Sequence, residues 1–234
     1  SSRRRHTRYI SVTGVQTCAL PISMYLLGDA FLKTGQRANA RNAFLFCSSN
    51  STNTQQREVS MFNYAKLSYE LGYQDVAQSE LQKFISGYPQ SSYIGEAREL
   101  MVNVLAQTSN YKDALALMES LTNPSAATRK VFPKVLYGRA VELINDGMLV
   151  SADELLSRAE VHPQNQEVLP LVLFWKGEIA YRLSHIDDAI RYLLDYLNAK
   201  TGSGDAQPTN ARYDLDRKST RLNSSHTDIS RMPS

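Results

Sequence analysis

The chain has 234 residues, 26 of them basic and 23 acidic, for a formal net charge of +3, and 42% of the residues are apolar. No apolar run reaches the eighteen or so residues that a membrane-spanning helix needs. The length is ample for one continuous helical array with a core of its own.

Taken from the start, the first segment is basic and unlike the rest of the chain. Arg3, Arg4, Arg5 and Arg8 precede a short, broken apolar stretch, a poor match to a secretory leader. Residues 1–22, with Val12-Thr13-Gly14-Val15-Gln16-Thr17-Cys18-Ala19-Leu20-Pro21-Ile22 at their end, resemble a translated sequencing-library adapter. Residues 216–226 (Asp-Arg-Lys-Ser-Thr-Arg-Leu-Asn-Ser-Ser-His) resemble its reverse complement, and Ser230-Arg231-Met232-Pro233-Ser234 its far end. That resemblance sets residues 1–23 and 216–234 apart as expected disordered ends. It leaves residues 24–215 as the array, cut inside a first helix at one end and inside a further repeat at the other. Eight basic and two acidic residues fall in the ends, so residues 24–215 hold 18 basic against 21 acidic, net −3. No basic stripe then points to nucleic acid or to an anionic membrane. Cys47 is left without a partner for an internal disulfide, and His162 and His185 are the remaining histidines.

Within 24–215 the organising feature is a period. Ala40, Ala77, Ala114, Ala152 and Ala189 recur at intervals of 37, 37, 38 and 37 residues. Five positions before each stands a turn-like residue: Gly35, Gly72, Ser109, Gly147 and Ser184. Four positions after each stands a large apolar residue: Phe44, Leu81, Met118, Leu156 and Leu193. A fixed period of this size predicts a helical solenoid, in which each helix pair buries its apolar face only on its neighbours.

The repeats are expected at about 24–50, 55–90, 91–123, 127–162 and 165–200, with the start of a sixth at 209–215. Repeat one reads Leu27-Gly28, Phe31, then Ala40, Phe44 and Cys47, with Gly28 allowing two helices to approach and Ala40 as the small residue opposite. Repeat two has Tyr64-Ala65, Gly72, Ala77, Leu81, Phe84 and a closing Pro89, which cannot continue a helix. Repeat three uses Val102, Leu105, Ala114, Met118 and Leu121; repeat four uses Ala140, Leu143, Ala152, Leu156 and Ala159. Repeat five restores Gly177, with Ala180, Ala189, Leu193 and Tyr196. Linkers rich in Ser, Asn and Pro are expected at 49–54, 122–127 and 161–165, and long first helices at 58–71 and 169–183.

The Leu-Gly, aromatic, Ala and Phe positions of repeat one closely resemble the tetratricopeptide repeat (TPR) pattern, and the later units follow it more loosely. The resemblance implies an all-α solenoid of about five helical hairpins wound as a right-handed superhelix, with Gly28, Ala40, Ala77, Ala114, Ala152, Gly177 and Ala189 as structural positions. It also implies that the first helices line a concave groove for a peptide or protein partner. In that frame Tyr25, Phe62, Tyr137 and Phe174 hold one groove position, Asp29, Lys66, Asn103 and Glu178 another, and Tyr69 and Tyr181 a third. The first and third positions are seven residues apart and share a helix face, which suggests a stacked aromatic ladder. Tyrosine suits such a surface because it is apolar along the ring and polar at the tip. Phe62 and Phe174 carry a competing reading as packing residues, and Trp175 reads as core.

Catalytic chemistry is not evident. Neither histidine has an oriented partner, and both read as solvated. Asp187 and Asp188 diverge on a helix and suit its N-terminus, and Glu96 and Glu99 lie beside Arg98. The residues suggest no catalytic group, metal or cofactor. The segment Phe84-Ile85-Ser86-Gly87-Tyr88-Pro89, continuing through Ser91 and Tyr93 to Ala97, resembles a junction found in bacterial envelope TPR proteins, and the stretch 64–72 resembles those of Bacteroidota-type bacteria. That implies a non-enzymatic protein-binding scaffold at the periplasm or outer membrane, with the cytoplasm as alternative setting. The competing functional reading is a structural spacer within a larger multidomain protein.

Overall fold

A computed structural model describes residues 13–199 together with Arg212, Tyr213 and Asp216, with side chains described from Leu20 onward. The described residues form ten helices and no strand. Four hairpins pair α1 (Thr13–Lys33) with α2 (Arg37–Asn50), α3 (Thr54–Glu70) with α4 (Gln74–Gly87), α7 (Ala126–Asn145) with α8 (Leu149–Glu160), and α9 (Leu169–Arg182) with α10 (Ile186–Ala199). Between the second and third of these in the chain come α5 (Ile94–Gln107) and α6 (Tyr111–Glu119), joined by a short turn at Ser109. The all-α hairpin array expected from the period is the fold observed.

The period has a steric cause. All five recurring alanines have 0% exposure. A methyl is the largest group that fits where the second helix of each pair crosses its neighbours. The residues five positions earlier all adopt left-handed backbone: φ is 75° at Gly35, 83° at Gly72, 59° at Ser109, 76° at Gly147 and 66° at Ser184. Each ends its helix with the same bond from the following amide back to a last-turn carbonyl, such as Gln36 N–H to Phe31 O (2.8 Å) and Met148 N–H to Leu143 O (2.8 Å). This C-cap reverses the chain within three residues and fixes the hairpin. The starts of three helices are capped by side chains: Asn53 accepts from Gln56 N–H (3.0 Å), Asn110 from Asp113 N–H (3.4 Å) and Ser125 from Thr128 N–H (3.2 Å).

The chain divides after Val104 into two compact units. In the first, Ala40, Phe44, Tyr64 and Leu67 form a core against which Tyr25 and Phe31 pack. In the second, one core runs from Leu136 through Leu156 to Ile179, and another joins Leu173 and Phe174 to Leu193 and Tyr196. Gly28 meets the Phe44 ring rather than Ala40, at 3.1 Å from the position a Cβ would take. Gly177 meets Leu193, the equivalent residue of repeat five, at 3.0 Å.

Residues 13–23 were set apart with the disordered end, yet they are the first turns of α1. Their helix docks on the array: Pro21 is buried and its carbonyl accepts a hydrogen bond from the Cys47 thiol at 3.2 Å. The expectations for residues 1–12 and 217–234 lie outside the described residues. Of the further helix expected at 209–215, Arg212 and Tyr213 are described, both helical and exposed. The first helices expected at 58–71 and 169–183 are α3 (17 residues) and α9 (14 residues); α1 (21 residues) and α7 (20 residues) are longer. α7 continues through Pro133, which the interior of a helix normally tolerates poorly.

Candidate functional site

The first helices carry the candidate residues. In the first unit, Tyr25 is half-buried with its ring edge-on to Phe44, centroids 6.0 Å apart. Burial pushes its phenol up, and Tyr93 and Asp29 add to the shift. Phe62 is 2% exposed, stacks on Tyr93 at 4.8 Å and tilts against Phe84 at 5.5 Å. Lys66 pairs with Glu96 at 2.7 Å, and Asp29 with Lys33 at 2.7 Å. Asn103 donates to the Glu99 carbonyl one turn earlier at 3.0 Å. Tyr69 and Asn103 are half-buried.

In the second unit, Phe174 is 5% exposed and sits edge-on to Tyr196 and Trp175, at 5.6 and 5.5 Å. Trp175 is half-buried, and its indole N–H donates to the Tyr137 hydroxyl at 3.3 Å. Glu178 pairs with Arg182 at 3.0 Å, and Tyr181 is half-buried.

The aromatic ladder therefore needs correcting at two of its rungs. Phe62 and Phe174 are core residues, each packed on the second helix of its own hairpin (Phe84 on α4, Tyr196 on α10). Phenylalanine has no polar tip to keep it at the surface. The half-buried tyrosines Tyr25, Tyr69, Tyr137 and Tyr181 remain, with the polar set Asp29, Lys66, Asn103 and Glu178. Trp175, read as core, is half-buried and packs against both cores of this unit, while its indole bonds the Tyr137 hydroxyl.

The structure also brings out residues the repeat pattern passed over. Lys176 is 5% exposed in the middle of α9. Its ammonium binds Glu160 at 2.6 Å and Ser157 at 3.0 Å and lies 4.8 Å from the Tyr192 ring centre. Burial pushes this amine down, but hydrogen bonds to Glu160 and Tyr192 outweigh it and hold its pKa above the usual lysine value. His162, expected in solvent, is half-buried and edge-on to Phe132 at 5.6 Å, and burial pushes its imidazole down. Its Nδ1 accepts from the Gln164 amide at 3.2 Å. Cys47 is buried, which pushes its thiol up while the Ser60 hydroxyl offsets part of the shift. Among the described residues no group of three His, Cys, Asp or Glu side chains could hold a metal ion. No described helix is long and apolar enough to cross a membrane.

No family model matches the chain, and no curated protein matches its sequence. Among solved structures it is similar to MamA 41-end from Desulfovibrio magneticus RS-1, at 15% identity over 77% of this chain and 94% of that one, with a TM-score of 0.47. It is also similar to Pseudomonas aeruginosa pilF, at 12% identity over 89% and 93% of the two chains with a TM-score of 0.43. A third is TTC0263, a thermophilic TPR protein of Thermus thermophilus, at 11% identity over 85% and 98% with a TM-score of 0.36.

Proposed function

We propose that this chain is a non-enzymatic scaffold that holds a polypeptide partner on the exposed faces of its first helices. The observation that carries the reading is the Trp175–Tyr137 hydrogen bond. It brings two half-buried amphipathic aromatics of successive first helices, α9 and α7, to one place. Glu178 follows Trp175 by about one helical turn, and the half-buried Tyr181 follows Glu178 by another. Aromatic side chains that are apolar in body and polar at the tip grip peptides at low entropic cost. Asp29, Lys66 and Asn103 offer polar contacts in the first unit.

A displayed peptide library selected on the immobilised chain tests this. Enriched peptides are expected to lose binding to a Tyr137→Ala, Tyr181→Ala chain whose thermal melt stays cooperative. Binding retained by that chain would sink the assignment of the face, and a library that yields no binder would favour the structural-spacer reading. The Tyr88-Pro89 junction supports an envelope setting. Fractionation of source cells with an antibody to this chain is expected to find it with periplasm or outer membrane, and recovery in the cytosol would refute that setting.

A further inference from the structure

A second surface lies in the same unit, where the first turns of α7 meet the loop between α8 and α9. Between Glu119 and Glu142 the chain has four basic residues and no acid. Arg139 is paired with Glu142. Arg129, Lys130 and Lys134 are exposed, and among the described residues none has an ion-pair partner. This concentration of positive charge stands out in an array whose balance over 24–215 is net acidic.

The three cations border a built cleft. The segment 161–168 between α8 and α9 lies beside the first turns of α7 and borders an open hollow of about 450 Å³. Val131, buried Pro133 and buried Val168 give it apolar lining; Lys130 and Lys134 line it from α7; Gln164 and Gln166 line it from the loop. Arg129 borders an adjoining hollow of about 370 Å³ across Pro163 and Gln164. The loop is tied down before any ligand arrives. Asn165 donates from its side chain to the Glu160 carbonyl, and Gln164 N–H donates to His162 Nδ1. His162 also rests on Phe132, and the Val168 amide closes back on Asn165 at 2.9 Å. Of the acids nearby, Glu160 is engaged by Lys176 and Glu119 by Arg158, which leaves Glu167 as the one carboxylate lining the cleft.

We propose that this cleft binds an extended acidic segment of a polypeptide partner, with carboxylates on alternate residues. Lys130 and Lys134 are one helical turn apart, about 6 Å along the axis at 1.5 Å per residue. Alternate side chains of an extended strand repeat at about 6.6 Å on one face. Two carboxylates of a Glu-x-Glu segment therefore meet the two ammonium groups in register. The intervening residue faces the other way, and the glutamine amides of the loop can serve the peptide backbone. Phosphate chains of a nucleic acid suit the site less well. Glu167 opposes a continuous run of negative charge, and the nearby Phe132 ring is already covered by His162 and by Arg158.

The test is fluorescence anisotropy of a labelled Ala-Glu-Val-Glu-Val-Glu-Ala peptide titrated with the full chain. Saturable binding is expected, at least about tenfold tighter than for the Gln-substituted peptide and screened away near 1 M salt, where the Debye length is about 3 Å. Lys130→Gln with Lys134→Gln should weaken it by about tenfold or more, Glu167→Gln should tighten it, and Lys112→Gln, on α6, should leave it unchanged. Each variant is checked by its circular-dichroism melt. Equal binding of the Gln peptide, or indifference to the paired lysine variants, overturns the proposal. So does preferential binding of a single-stranded oligonucleotide, or displacement by inorganic phosphate beyond that by chloride at equal ionic strength. Tyr137→Ala with Tyr181→Ala should leave this binding intact. Loss there with the lysine variants unaffected would assign the peptide to the tyrosine face instead, so the two readings fail separately.

Discussion

Each unit holds a cation that locks neighbouring helices, and the two are neutralised in different ways. In the first unit Arg41 of α2 is half-buried; its Nε donates to Ser68 and its Nη2 to the Tyr64 hydroxyl, at 2.8 and 3.2 Å. Its guanidinium carbon lies 4.8 Å from the Tyr64 ring centre and 4.4 Å from that of Tyr73, which precedes α4. In the second unit Lys176 of α9 reaches Ser157 and Glu160 on α8 and the Tyr192 ring on α10. Both cations use a serine hydroxyl and an aromatic ring to tie consecutive hairpins, but Lys176 alone adds a carboxylate. The delocalised, weakly hydrated guanidinium can be satisfied by neutral acceptors and ring faces. The compact ammonium, more deeply buried here, needs an opposite charge.

That difference orders the effects of breaking each lock. Glu160→Ala leaves the Lys176 ammonium, whose side chain is 6% exposed, without its carboxylate. The loss in unfolding free energy is expected at about 3 kcal/mol, since a buried ion pair that loses one partner leaves an uncompensated charge. Urea denaturation measures it, and a loss below about 1 kcal/mol would mean that Ser157 and Tyr192 suffice. Arg41→Met removes two hydrogen bonds and two ring contacts but strands no charge, and about 1–2 kcal/mol is expected in the same assay. If Arg41→Met proved the costlier change, the contrast between the two locks would be wrong.

A smaller effect separates them by pH. The folded-state pKa of Lys176 is raised, so its lock is fully present below the unfolded lysine value near 10.4 and is lost as pH rises through the folded value. The stability gap between wild type and Lys176→Met should be flat through neutral pH and narrow only in strongly alkaline solution. The gap for Arg41→Met should stay constant over that range, because guanidinium does not titrate there. A Lys176 gap that narrowed already near neutral pH would contradict a raised pKa.

What the sequence made legible is what the repeat enforces locally. The alanines and the five left-handed turns recur because each hairpin meets the same steric demand, so a period reveals them without knowledge of neighbours. Residues specific to one hairpin were hidden. Gly138 stands outside the repeat frame, yet a Cβ there would lie 2.5 Å from the Tyr111 ring of the preceding helix pair. Lys176 has no lysine at the equivalent position of any other repeat, where Leu27, Tyr64, Met101 and Arg139 stand, so the period does not reveal its role. Its context, a lone charge in the apolar run Leu171-Val172-Leu173-Phe174-Trp175 before Gly177, signals a buried and therefore partnered cation. Phe62 and Tyr137 occupy the same repeat position but differ in exposure, because helical spacing fixes a face and not how deeply the partner helix covers it.

The smallest expected effect concerns the turns, where the units also differ. The first unit turns at Gly35 and Gly72, whereas the second turns at Ser109 and Ser184 as well as Gly147, with φ of 59° and 66° at the serines. A side chain in left-handed backbone costs roughly 1–2 kcal/mol. Glycine gives back roughly half of that through its greater freedom in the unfolded chain. Ser109→Gly should therefore stabilise the protein by about 0.5 kcal/mol, Ser184→Gly by a similar amount, and Gly72→Ser should cost about as much. The two serine changes are far apart and should add, raising the melting temperature by about 2–4 °C together. An unchanged or lowered melt for Ser109→Gly would mean that the serine contributes an interaction that offsets its backbone cost. The left-handed turns would then be equally comfortable in both units, leaving the buried cations as the contrast between them.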